Sequence, residues 1–114
     1  LKVLSANIFS GCISLIDITI PEGVITIDSN AFFGCLKLTK ITIPKSVEDM
    51  RSYAFAGCVG LNDITIPGER IRITGPAFYG WTSSQTIYFT GTDGVYFYFT
   101  NWLENCYARI VWEE

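Results

Sequence analysis

AFFGCLKLTKITIP, residues 31–44, is the stretch on which the reading of this chain turns. It returns at 54–67 as AFAGCVGLNDITIP, occurs earlier at 8–21 as IFSGCISLIDITIP, and survives in worn form at 77–89 as AFYGWTSSQTIYF. Phe9, Phe32, Phe55 and Phe78 are 23 residues apart each time, and Cys12, Cys35 and Cys58 keep that step, with Trp81 where a fourth cysteine would fall. Leu15, Leu38 and Leu61 follow it, as do Ile18, Ile41, Ile64 and Ile87. Self-similarity at a fixed period of this size specifies stacked coils and outranks any local propensity.

Each copy divides into two apolar segments. In the first, Leu38-x-x-Ile41-x-Ile43, β-branched residues alternate inward and outward as a short strand does. Pro44 lacks the N–H a ladder requires, so the strand is expected to stop there. A turn at Lys45 and Ser46 leads to a second inward segment, Val47-x-x-Met50, matched by Val24-x-x-Ile27. Stacking the coils places like residues about 4.8 Å apart in parallel sheets, so Phe, Cys and Leu/Ile form buried columns. The glycines at 11, 34, 57 and 80 are read as holding a backbone shape that a side chain would hinder.

The combination A-F-x-G-C, L-x-x-I-T-I-P and V-x-x-I resembles the BspA-like, or treponemal, class of leucine-rich repeats over residues 1 to about 89. That class usually shows glycine after V-x-x-I, where this chain has Asp28, Arg51 and Thr74. In the fourth coil Arg70 takes the valine position and Ile71 comes one place late, which leaves that strand's register open. The fold expected is an α/β-type repeat solenoid, mostly β, of about four 23-residue leucine-rich repeats over 1–89, closed by a β-rich C-terminal cap at 90–114. Leu1 aligns with Val24, so the chain is expected to begin within a coil, with further repeats ahead of it.

After Phe89 the motif period is lost. Val95 to Phe99 and Ala108 to Trp112 read as short strands, with a loop or short helix at 101–107. Nine of the seventeen aromatics lie between Tyr88 and Trp112. A lid of that size cannot bury them all, so exposure is expected among Tyr96, Tyr98, Trp102 and Tyr107, where a protein or a glycan could stack.

Composition narrows the function. A net charge of −3 offers no concentrated basic surface for nucleic acid. No apolar run approaches the roughly 20 residues of a membrane helix. With no histidine and no C-x-x-C pair, neither a Ser/His/Asp set nor a zinc site is supported, and no phosphate loop occurs. Glu48 and Asp49, adjacent on one strand, point apart and cannot act as a glycosidase pair. The chain therefore reads as no enzyme, without cofactor or metal. Cysteines stacked in parallel make poor disulfides, and three in a column cannot all pair, so buried thiols are expected.

Outward columns carry alternating charge: Asp17, Lys40, Asp63; Glu22, Lys45; Asp28, Arg51. One reading is a soluble ladder of rungs paired with their neighbours, each pair contributing about 0.2–1 kcal/mol. The other is a recognition strip made of Ile16, Asp17, Thr39, Lys40, Asn62 and Asp63, joined by the column Thr19, Thr42, Thr65 and Tyr88 and by the cap aromatics Tyr96, Tyr98 and Trp102. A threonine array also raises ice binding, which a single short column flanked by charges argues against. The resemblance implies a non-catalytic adhesion module of a secreted or cell-surface bacterial protein. Its partner would be a host matrix or cell-surface protein or a glycan, with no nucleic acid and no membrane insertion. The alternative is a structural spacer with no ligand of its own.

Overall fold

A computed structural model describes residues 2–67, 70–91, 94–98 and 101–113, with backbone alone for residues 70 and 94–98. The chain winds as a parallel β-solenoid of about four 23-residue turns, and no helix occurs among the described residues. The V-x-x-I segments form β1 (Lys2–Leu4), β3 (Val24–Ile27), β5 (Asp49–Met50) and β7 (Arg70–Thr74), to which β9 (Gly94–Tyr98) is added to make a five-stranded parallel sheet. The I-T-I segments form β2 (Asp17–Thr19), β4 (Lys40–Thr42), β6 (Asp63–Pro67) and β8 (Thr86–Thr90). With β10 (Arg109–Glu113) they make a second wall in two pieces, β2-β4 and β6-β8-β10. The third side consists of turns carrying the A-F-x-G-C motif.

Register follows the repeat. Asp17 faces Lys40 and Thr19 faces Thr42, while Asp63 faces Thr86 and Thr65 faces Tyr88. The register left open in the fourth coil holds the 23-residue step, since Arg72 pairs with Asp49 and Ile73 with Met50. What changes is the inward pattern. Val47 and Met50 point in three residues apart, whereas Ile71 and Ile73 alternate as in an ordinary strand, at 1% and 0% exposure. β2 and β4 stop short of Pro21 and Pro44, but β6 runs through Pro67, which pairs with Thr90. Proline is tolerated there because it is the last residue of the strand.

The backbone also continues where the side-chain motif fades. Ile71 faces Val95, a step of 24, and Thr86 faces Arg109, a step of 23. The two strands expected after Phe89 thus extend both sheets in the same parallel sense, and turns occupy 101–105.

The core lies between the three walls. Phe9, Phe32, Phe55 and Phe78 stack with successive centroids 5.4, 5.3 and 5.8 Å apart and planes within 19° of parallel. Burying one such ring contributes roughly 1.5–3 kcal/mol, and only a neighbouring coil can bury it. Phe32, Phe55 and Phe78 are accordingly fully buried, while Phe9, Cys12, Leu15 and Ile18 of the first coil are half-buried. All four cysteines are free thiols. The Cys35 thiol donates to the Phe9 carbonyl and that of Cys58 to the Phe32 carbonyl, both at 3.0 Å. Gly34 sits at φ +70° with open space where a Cβ would lie, so its turn selects glycine by backbone angle rather than by crowding.

Candidate functional site

The outer face of β2, β4, β6 and β8 is a regular grid. Because side chains alternate along a strand, pointing Ile18, Ile41, Ile64 and Ile87 toward the core turns their neighbours outward. Asp17, Thr19, Lys40, Thr42, Asp63 and Thr65 are exposed, and Tyr88, where the threonine column ends, is half-buried. Ile16, Thr39 and Asn62 precede the strands and are exposed as well, Ile16 at 59%. Thr39 is tied down through its hydroxyl, which donates to the Ile16 carbonyl at 3.3 Å. Thus ten of the sequence-selected positions (Ile16, Asp17, Thr19, Thr39, Lys40, Thr42, Asn62, Asp63, Thr65 and Tyr88) come together on one wall.

The charge columns divide between the two sheets. On the five-stranded sheet side Arg51 pairs with Asp28 at 3.6 Å, as the ladder reading expects, and Arg72 pairs with Asp49 at 3.4 Å. The second pair is not among the charge columns read from the sequence, although Asp49 and Arg72 are also 23 apart, because Arg70 and Ile71 break the motif beside it. On the opposing wall the ladder reading fails. Asp17, Lys40 and Asp63 form no ion pair with any described residue, and neither do Glu22 and Lys45. Their charged heads are left to solvent, one rung apart.

The C-terminal aromatics separate into two groups. Trp102 is 9% exposed, set edge-on against Phe89 at 6.0 Å, so the exposure expected of it is corrected. The reason is that Phe89 replaces the slimmer Ile66 of the coil before, and its ring needs an aromatic cover. Tyr107 is 71% exposed, and Trp112 is 52% exposed while stacked on Phe89 at 4.6 Å. The side chains of Tyr96 and Tyr98 lie outside the described residues.

Gln85 is a structural residue that pattern reading passed over. It is 3% exposed, its amide donating to the carbonyls of Cys58 (3.0 Å) and Leu61 (2.8 Å) while its oxygen accepts from the Thr82 amide (3.0 Å). Its signal was the loss of leucine at position 84, which left the column to be filled from the next residue.

Burial pushes the Cys58 thiol up to about 12 and raises those of Cys35 and Cys106, so the reactive thiolate is suppressed. No group of three or more metal-ligating side chains occurs among the described residues. No helix among them is long and apolar enough to cross a membrane.

No curated protein and no solved structure was found to match the chain. A family model described as "BspA type Leucine rich repeat region (6 copies)" matches residues 2–109, beyond the point where the motif fades by eye. With its coil length, columns and both parallel sheets accounted for, the chain belongs to the BspA-type leucine-rich repeat family.

Proposed function

We propose that this chain is a non-catalytic protein-binding module of a secreted or cell-surface protein, with residues 90–114 as its closing unit. Its recognition surface is the outer wall of β2, β4, β6 and β8. The observation that carries this is the contrast between the two sheets. One wall carries two internal ion pairs, Asp28–Arg51 and Asp49–Arg72. The other holds Asp17 and Lys40 in register on paired strands, with Asp63 on the next coil, and none of the three has an ion-pair partner among the described residues. A rigid grid with uncommitted charges selects a partner of complementary pattern and suppresses wrong ones. The role proposed is adhesion, with a host matrix or cell-surface protein as partner, and family membership supports it only as far as a repeat module of a surface protein. The test is binding to a panel of immobilised matrix and cell-surface proteins, comparing the native chain with a Lys40→Glu/Asp63→Lys double variant. Saturable binding weakened about tenfold or more by the exchange is expected. Absence of binding to the whole panel, or binding indifferent to the exchange, would favour the spacer reading, in which the paired wall is representative and the chain only holds other domains apart.

A further inference from the structure

β10 is the outer strand of its sheet, with β8 on one side and no strand on the other among the described residues. The inner columns lose their cover there. Ile87 and Phe89 are fully buried, but Ile110, paired with Ile87, is half-buried, and Trp112, stacked on Phe89, is 52% exposed. Two bonds show which way the main chain of β10 faces. The Arg109 amide donates to the Gln85 carbonyl at 2.9 Å, and the Glu113 carbonyl accepts from the Gly91 amide at 3.2 Å. Along a strand the N–H and C=O of one residue share a side, and the next residue uses the other. Arg109, Val111 and Glu113 therefore bond toward β8, and the main-chain groups of Ile110 and Trp112 lie along the outer edge.

Such an edge is a template for another strand. The sequence of β10, Arg-Ile-Val-Trp-Glu, is complementary to itself when turned end for end about Val111. Arg109 then opposes Glu113 of the second copy, and Ile110 opposes its Trp112. Arg109 and Glu113 are exposed on the outer face, and neither forms an ion pair with a described residue. The main chain agrees with the charges, because Ile110 and Trp112, the residues set opposite each other, are those whose groups face the edge. A slip of two residues loses both ion pairs, and a slip of one turns the inner residues outward. No other edge strand among the described residues has this symmetry: β1, β2, β4 and β6 each carry a single charged residue, and β9 carries none.

We propose that the chain forms a two-fold dimer in which β10 pairs antiparallel with β10 of a second copy, joining their sheets edge to edge. In a two-fold interface every contact occurs twice. The outer face gains two Arg109–Glu113 pairs. The inner face gains two Ile110–Trp112 contacts, an aromatic ring against a β-branched side chain, which is among the favourable cross-strand pairs. The dimer does not rest on the partner assigned to the strand wall.

The test is sedimentation equilibrium of the 114-residue chain at concentrations up to about 1 mM, with amide hydrogen exchange at both ends of the range. A monomer–dimer equilibrium is expected, weakened at least about tenfold in Arg109→Glu and in Glu113→Arg, each of which sets like charges opposite one another. Mixing the two variants restores association as a heterodimer, since each supplies the charges the other needs, and misfolded chains could not give that rescue. The Ile110 amide gains protection as the dimer forms, while the amides of Arg109, Val111 and Glu113 are protected throughout by β8. A monomer at every concentration, which would leave the edge to a strand of another protein, overturns the proposal. So does association indifferent to both reversals, no rescue on mixing, or exchange at Ile110 that is independent of concentration.

Discussion

The indole N–H of Trp81 donates to the carbonyl of Phe55 at 2.8 Å, the same bond, one coil on, that the Cys58 thiol gives to Phe32. The fourth coil thus exchanges a small residue for the largest one and keeps the polar contact at the end of the column. An indole N–H is a stronger donor than a thiol, and Trp81 is 1% exposed with its ring edge-on to Phe78. Replacing Trp81 by Phe keeps most of the volume but removes the shorter of the two bonds to the Phe55 carbonyl, which keeps only the Cys58 amide at 3.3 Å. A loss of about 0.5–1.5 kcal/mol in urea unfolding is expected, against a smaller loss for Cys58→Ser, whose hydroxyl can still donate.

Gln85 satisfies more groups than Trp81 does. Its removal as Gln85→Leu strands the carbonyl of Leu61 and the amide of Thr82 at once, and takes one of two bonds from the carbonyl of Cys58. The expected loss is about 2–4 kcal/mol, although leucine suits the apolar column. Gln85→Leu as stable as the native chain by urea midpoint would contradict the assigned role.

These two residues show where sequence reading succeeds and where it stops. Periodicity finds positions that do the same thing in every coil, so the Phe, Cys, Leu and Ile columns and both strand segments are legible in the sequence alone. It is blind to positions that compensate for a departure. Ser84 replaces a leucine, and only the folded geometry shows that Gln85 turns inward to fill the gap. The continuation of both sheets past Phe89 was hidden for a related reason. Backbone ladders need no particular side chain, so they outlast the motif. Side-chain pairing on the surface is likewise set by rotamers, and the Asp17/Lys40/Asp63 column looked no different in sequence from the Asp28/Arg51 column that does pair.

Gly34 and Gly60 are both expected to resist alanine, for different reasons. At Gly34 the cost arises from φ +70° alone, about 1 kcal/mol, and Gly34→Asn should recover much of it. At Gly60 a Cβ would lie 2.9 Å from the carbonyl oxygens of both Leu36 and Leu38. Backbone cannot yield cheaply there, so Gly60→Ala is expected to cost about 1–3 kcal/mol or more, with no rescue by asparagine. Thermal midpoints of the four variants check the contrast.

The buried thiols predict sensitivity to alkali. A thiol is neutral when protonated, and burial raises the folded value of Cys58 to about 12, above the ordinary 9.0. Below 9 both folded and unfolded thiols are protonated, and stability does not depend on this group. As pH rises past 9 the unfolded chain releases the proton first, so stability falls by up to about 1.4 kcal/mol per pH unit for such a thiol until the folded value is reached. Urea midpoints at pH 7 and pH 10 should therefore differ, and the difference should shrink in Cys58→Ala.

The central claim is that residues 23 apart lie directly on one another, and NOE spectroscopy of ring protons tests it most directly. Strong cross-peaks are predicted between Phe32 and Phe55, whose rings are 5.3 Å apart and within 4° of parallel, repeated for the pairs Phe9–Phe32 and Phe55–Phe78. Absence of contacts at this spacing, with helical contacts three and four residues apart through 31–39 in their place, would contradict it.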